Sequence, residues 1–246
     1  MKKYRWQIIL GIFLAGMSAA LYGLSVLFFK SPRDTFFYLL QDLAFVPMQV
    51  LFVTVIIDRL LSRREKAAMI RKLNMVIGVF FSETGNGLIR MFAGFEDQFD
   101  RFRPILGLSI AWGENEFNRA GKELEKLEWK VGAGKGDLNA LKEYLVNRRS
   151  FLLGLMENQN LLEHESFTEM LLAVFHLMEE LSFRENLSGL SKQDQEHLSI
   201  DILRAYRLLV TEWLSYLRHL RSQYPYLYSM AVRVNPFDPH AKAEIQ

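Results

Sequence analysis

The chain contains no cysteine. Disulfides, thiolate nucleophiles, and cysteine-based zinc or iron–sulfur centres are therefore excluded. Proline is sparse, at 6 of 246 residues, and glycine is modest at 15, so no stretch reads as a low-complexity linker. An excess of one charge is also missing. Lys and Arg total 30 against 28 Asp and Glu, which argues against a broad basic surface for nucleic acid. No stretch alternates apolar and polar residues between turn signals, so the sequence predicts no sheet.

Catalytic patterns are missing as well. There is no H-E-x-x-H zinc pattern, no nucleophile elbow and no set of kinase motifs. VGAGKGDL, residues 131–138, resembles a phosphate loop only superficially. It has Trp129 where the first glycine belongs and Gly136 where Ser or Thr must follow Lys135. The stretch reads as a turn between two helices. The histidines are His164, His176, His197, His219 and His240, and no two stand four apart. Asp194-x-x-His197 is the one approach to the E-x-x-H spacing of di-iron bundles. Glu163-His164-Glu165, and His176 with Glu179 and Glu180, are the densest ligand-type clusters. Solvated helix faces explain them, so we expect no catalytic residue, no cofactor and no metal. A membrane-tethered metalloenzyme using residues 163–180 is the weaker alternative.

What the sequence does have is long apolar runs. QIILGIFLAGMSAALYGLSVLFF, residues 7–29, carries no charge over 23 positions. At about 1.5 Å per residue it crosses a hydrocarbon core of about 30 Å. Lys2, Lys3 and Arg5 followed by Ser18-Ala19-Ala20 mimic a signal peptide, but the apolar run continues well past Ala20. We therefore expect an uncleaved span. KSPRDT, residues 30–35, supplies a short turn, and a second run covers residues 36–57. The expected organisation is a transmembrane hairpin over 1–60, a cytoplasmic helical domain over 61–230, and a tail over 231–246. The fold class is all-α, a hairpin followed by an antiparallel helical bundle.

Orientation follows from the positive charges. Three precede the first run (Lys2, Lys3, Arg5), two lie in the turn (Lys30, Arg33), and six follow the second run. Those six are Arg59, Arg63, Arg64, Lys66, Arg71 and Lys72. Both termini are then cytoplasmic, in a cell or inner membrane. The six set topology and attract anionic lipid.

Asp42 and Gln49 lie seven apart on one helical face, with Gln41 close to it. Polar groups at membrane depth face other helices or water. Two readings follow: helix-to-helix contacts, or the lining of an oligomeric ion channel whose second span carries Pro47 at a kink. Beyond the membrane, SETGNG (82–87) reads as a break or a kink, and Pro104 as a break. Phe117, Ala120, Leu124, Leu127 and Val131 form a heptad-like stripe. Leu138, Leu141, Leu145, Leu152, Leu155 and Leu162 form another, and the two predict an antiparallel hairpin. Residues 166–187 predict a further helix, and Ser191 is positioned to cap a long last one. The functional expectation is a non-enzymatic integral membrane protein with a cytoplasmic interaction or regulatory domain. The expected partners are the lipid bilayer, further copies of the chain, and a cytoplasmic protein.

Overall fold

A computed structural model describes residues 2–29, 32–97, 99–158, 161 and 164–244, with side chains except at 2–8, 10, 29, 62–69 and 71. The described residues form helices joined by turns and irregular segments and contain no strand; one isolated bridge joins Glu96 to Val131. The chain divides into two compact units, Met1–Lys66 and Ala67–Gln246.

The first unit holds α1 (Lys2–Phe29) and most of α2 (Pro32–Phe80). Long apolar side chains favour helix where no charge or glycine pair interrupts them. The described apolar side chains here are largely exposed: Phe28 79%, Leu27 74% and Ile12 69%. The two helices are tied by Tyr22, whose hydroxyl donates to Asp42 Oδ2 at 2.8 Å.

In the second unit the segment SETGNG interrupts the α-helix without breaking the helical path. The path passes from α2 through a π-helical turn, Phe81–Gly85, directly into α3 (Asn86–Ala93). The glycines are there for close approach. A Cβ at Gly85 would strike the Phe81 ring, and one at Gly87 would strike the Tyr144 hydroxyl. The wide turn loosens the backbone ladder, and side chains take up its carbonyls. Tyr144 donates to Thr84 O at 2.9 Å and Arg148 to Glu83 O at 3.1 Å.

Pro104 does not break the chain either. It is the third residue of α4 (Phe102–Leu106), in the first turn where no amide hydrogen is required. The first leucine stripe is shorter than its spacing suggests. α5 (Glu114–Lys126) buries Phe117, Ala120 and Leu124 and ends at Leu127, where the backbone becomes extended. Trp129 donates its indole N–H to Leu124 O, and Asp97 N donates to Lys130 O, so the chain turns away. The second stripe is divided between α6 (Leu138–Val146) and α7 (Arg149–Met156); Leu162 lies outside the described residues. Asp137 caps α6 by accepting from Ala140 N.

Nor do the two stripes pair as a hairpin. α6 and α7 pack on α8 (Glu165–Ser182), while α5 packs on α9 (Lys192–Gln223). α9 is the centre of the unit, with α8, α3 and α10 (Pro225–Arg233) against it. Ser191 caps it by accepting from Asp194 N. Its Tyr206 is fully buried among the rings of Phe92, Phe102 and Trp129 at 5.0–5.9 Å. The tail folds back. Asn235 is 3% exposed and donates to Leu106 O at 2.8 Å, and buried Phe237 stacks on Phe99 and Phe102.

Candidate functional site

The polar residues of the first unit come first. Asp42 is exposed apart from its contact with Tyr22, and Gln41 and Gln49 are exposed on α2. Pro47 lies inside the same helix and removes one backbone donor from it. Of the basic residues, Arg59 and Lys72 are exposed on α2. The side chains of Arg63, Arg64, Lys66 and Arg71 lie outside those described.

The second unit brings together a group that no single stretch of sequence contains. His176 and Glu180 stand one turn apart on α8. His197 and Asp201 stand one turn apart on α9, which packs against it. Residues four apart share a helix face, so each helix presents one imidazole and one carboxylate. His197 Nε2 lies 3.4 Å from Glu180 Oε2 and 3.3 Å from Asp201 Oδ2. His176 Nε2 lies 3.6 Å from the same Asp201 oxygen and 4.0 Å from Glu180 Oε1. Glu180, His197 and Asp201 each offer one ligand atom, all within 4.8 Å of one another.

The members differ in exposure. The imidazoles are about half exposed, while the Asp201 side chain is only 4% exposed. Asp201 Oδ2 is buried and has no hydrogen-bond partner. Its other oxygen faces Arg204 Nη1 at 3.6 Å. Glu180 is held from behind. Arg184 Nη1 donates to Glu180 Oε2 at 2.6 Å, and Arg184 Nη2 donates to Asp194 Oδ1 at 2.7 Å. The Arg184 hydrogen bonds keep both carboxyl groups below the usual carboxylate range.

The sequence grouped His176 with Glu179 and Glu180, and His176 does face Glu180 here; Glu179 instead approaches Arg149. His164 is taken up as the cap of α8, where Nδ1 accepts from Phe167 N. Glu163 lies outside the described residues. The partners that matter, His197 and Asp201, sit on the next helix.

A shallow apolar groove is the other notable feature. It is bordered by Met75, Val79, Tyr216, Tyr224 and Leu227, with His219 in its wall. Burial pushes the His219 imidazole below its ordinary pKa.

These observations define an all-helical chain with an N-terminal pair of apolar helices and a C-terminal helical domain. Two family models match in that order. One, described as MJ1433, N-terminal helical domain, covers residues 2–61. The other, described as Uncharacterized protein MJ1433, C-terminal helical domain, covers residues 69–233. A relative from Methanocaldococcus jannaschii, named Uncharacterized protein MJ1433, is 44% identical over 238 residues, or 97% of this chain and 96% of the relative. The chain belongs to the MJ1433 family. No solved structure matches it.

Proposed function

We propose that the chain is a non-enzymatic integral membrane protein, anchored by α1 and the first part of α2, with its helical domain held at the cytoplasmic face as an interaction or regulatory module. One observation carries the anchor. The apolar windows Gly11–Phe28 and Pro32–Leu61 are long enough to cross a bilayer, and none of either window is buried inside the protein. A core helix of a soluble protein would bury such a surface. Leaving it in water forgoes about 25 cal/mol per Å² of apolar area that burial would contribute. Lipid supplies that burial.

The contact between Tyr22 and Asp42 supports the helix-to-helix reading of the polar face over the channel. The carboxylate is engaged by its own chain, as polar side chains in bilayers usually are. The charge count supports cytoplasmic termini.

The absence of native cysteine makes the test direct, because single cysteines can be placed in the natural sequence. Asp34→Cys lies at the turn end of the second apolar window, in the first turn of α2, and Glu185→Cys lies on the domain; both positions are exposed. In intact cells an impermeant maleimide is expected to label the first and to reach the second only after lysis. The opposite pattern would reverse the orientation. Recovery of the full chain in the soluble fraction would remove the anchor.

A further inference from the structure

We infer that Glu180, His197 and Asp201, with His176 as a fourth donor, form a binding site for one divalent transition-metal ion of the zinc class.

The distances carry the argument. A hydrogen bond between a ring N–H and a carboxylate closes to about 2.7–3.2 Å. The four imidazole–carboxylate separations run from 3.3 to 4.0 Å, so these groups converge at ion-pair distance without closing to hydrogen bonds of that length. A tetrahedral ion holds nitrogen and oxygen donors at about 2.0–2.2 Å, which sets neighbouring donors about 3.4 Å apart. Three of the four separations, 3.3, 3.4 and 3.6 Å, fall close to that edge length.

Asp201 is the independent observation. Its side chain is 4% exposed, and its Oδ2 is turned toward both imidazoles without a hydrogen-bond partner. A buried carboxylate is normally paired, hydrogen-bonded or bound to a cation. Arg204 faces only the other oxygen. The oxygen that remains points to the place an ion would occupy.

The donor chemistry narrows the ion. Two imidazoles and two carboxylates suit zinc and its neighbours in the first transition row, whereas calcium and magnesium prefer all-oxygen sets. The scaffold is suitable too. Each helix contributes two donors one turn apart, and the adjoining Leu177, Met178, Leu198 and Ile202 are fully buried, which holds the faces in place. The half-exposed histidines leave a path from solvent. Arg184 orients Glu180 from outside the donor set, and the carboxylate has further lone pairs to offer.

The test uses full-length protein in lipid nanodiscs, stripped with a chelator. Cobalt(II) is titrated while visible absorbance is recorded, and zinc is then titrated against a chromophoric chelator. The expected result is one ion per chain, with the strong visible bands of four-coordinate cobalt. His197→Gln and Asp201→Asn are each expected to weaken binding by at least about tenfold, the least that disturbing even the outer shell of a metal site typically costs. His164→Gln, which alters the cap of α8 and no donor, is expected to leave the number of ions bound and their affinity unchanged. Substoichiometric uptake, or equal binding by the wild type and His197→Gln, would overturn the site. It would leave the group as histidine–carboxylate ion pairs only. Should Asp201→Asn fail to fold, His176→Gln and His197→Gln, both altered at half-exposed rings, decide the matter by the same titration.

Discussion

Gly87→Ala separates a glycine required by packing from one that merely interrupts a helix. Residue 87 is the second residue of α3, and alanine is the better helix former there by about 1 kcal/mol. Propensity alone makes the substitution stabilising. Packing opposes it. The new Cβ would collide with the Tyr144 hydroxyl and stand 2.9 Å from the ring carbon that carries it. Tyr144 must then turn away and release Thr84 O. Thr84 is fully buried, and a buried acceptor left unpaired costs about 1–3 kcal/mol. Forcing an extra methyl group into a packed site costs about another 1–3 kcal/mol. Set against the helix gain, the net loss is about 1–5 kcal/mol.

Urea unfolding of the full chain in micelles measures this. In a Trp6→Phe background the signal comes from Trp112, Trp129 and Trp213 in the second unit. Tyr144→Phe removes the colliding hydroxyl and alone costs about 1–2 kcal/mol through the lost hydrogen bond. In that background Gly87→Ala is expected to cost less than about 1 kcal/mol, giving a coupling of about 2 kcal/mol. A stabilised Gly87→Ala variant, or two substitutions whose effects simply add, would refute the argument.

Other perturbations have equally definite outcomes. Asn235→Ala removes a buried amide that donates to Leu106 O and accepts from Phe237 N, so a loss of about 2–3 kcal/mol is expected in the same assay. A loss too small to resolve would mean the tail is not held by this residue. His219 is kept below its ordinary value of 6.5 by burial beside Tyr216, Tyr224 and Glu83. As pH falls below 6.5 the unfolded chain takes up the proton first, so the stability from this residue is full above that pH and is lost toward the folded value. His219→Gln is expected to flatten the stability curve as pH falls below 6.5, and an unchanged curve would contradict it. Vesicles carrying the full chain are expected to pass no more ions than empty ones. Conduction that Asp42→Asn or Gln49→Leu alters would restore the channel.

Periodicity was enough to read the helical class, because an apolar stripe every three to four residues is generated by the same burial that forms the core. Leu198, Ile202, Leu209 and Trp213 show that stripe and are all buried on α9. Periodicity misled where it ran past a physical stop. Leu127 and Val131 continue the spacing of Phe117 and Leu124, but the Trp129 indole claims Leu124 O and the chain leaves the helix. Glycine misled in the other direction. Two glycines in SETGNG suggest a break or a kink, and the α-helix does yield to a π-helical turn, yet the path continues and the glycines admit the Phe81 and Tyr144 rings beside it. The local sequence cannot show this, because Tyr144 lies 57 residues away from Gly87.

The histidine–carboxylate group was hidden for a related reason. Familiar metal patterns place two ligands on one helix and name them together, as in H-E-x-x-H. Here each helix contributes one histidine to the group, with a carboxylate one turn later, His176 with Glu180 and His197 with Asp201. Such i, i+4 pairs are common on solvated helix faces and announce nothing alone. Their significance comes from the packing of α8 on α9, which the sequence implies only through the apolar faces beneath. Asp201 gives the discriminating signal. It follows Ile200 and precedes the buried Ile202, at a position where a solvated face would leave the side chain in water. The structure leaves it 4% exposed instead, with one oxygen unpaired. A pair of carboxylates pressed between two helices without a cation would repel each other, and Arg184 and Arg204 each relieve only one of them. The imidazoles complete the balance in one of two ways, by taking protons or by sharing a metal ion, and the cobalt titration distinguishes them.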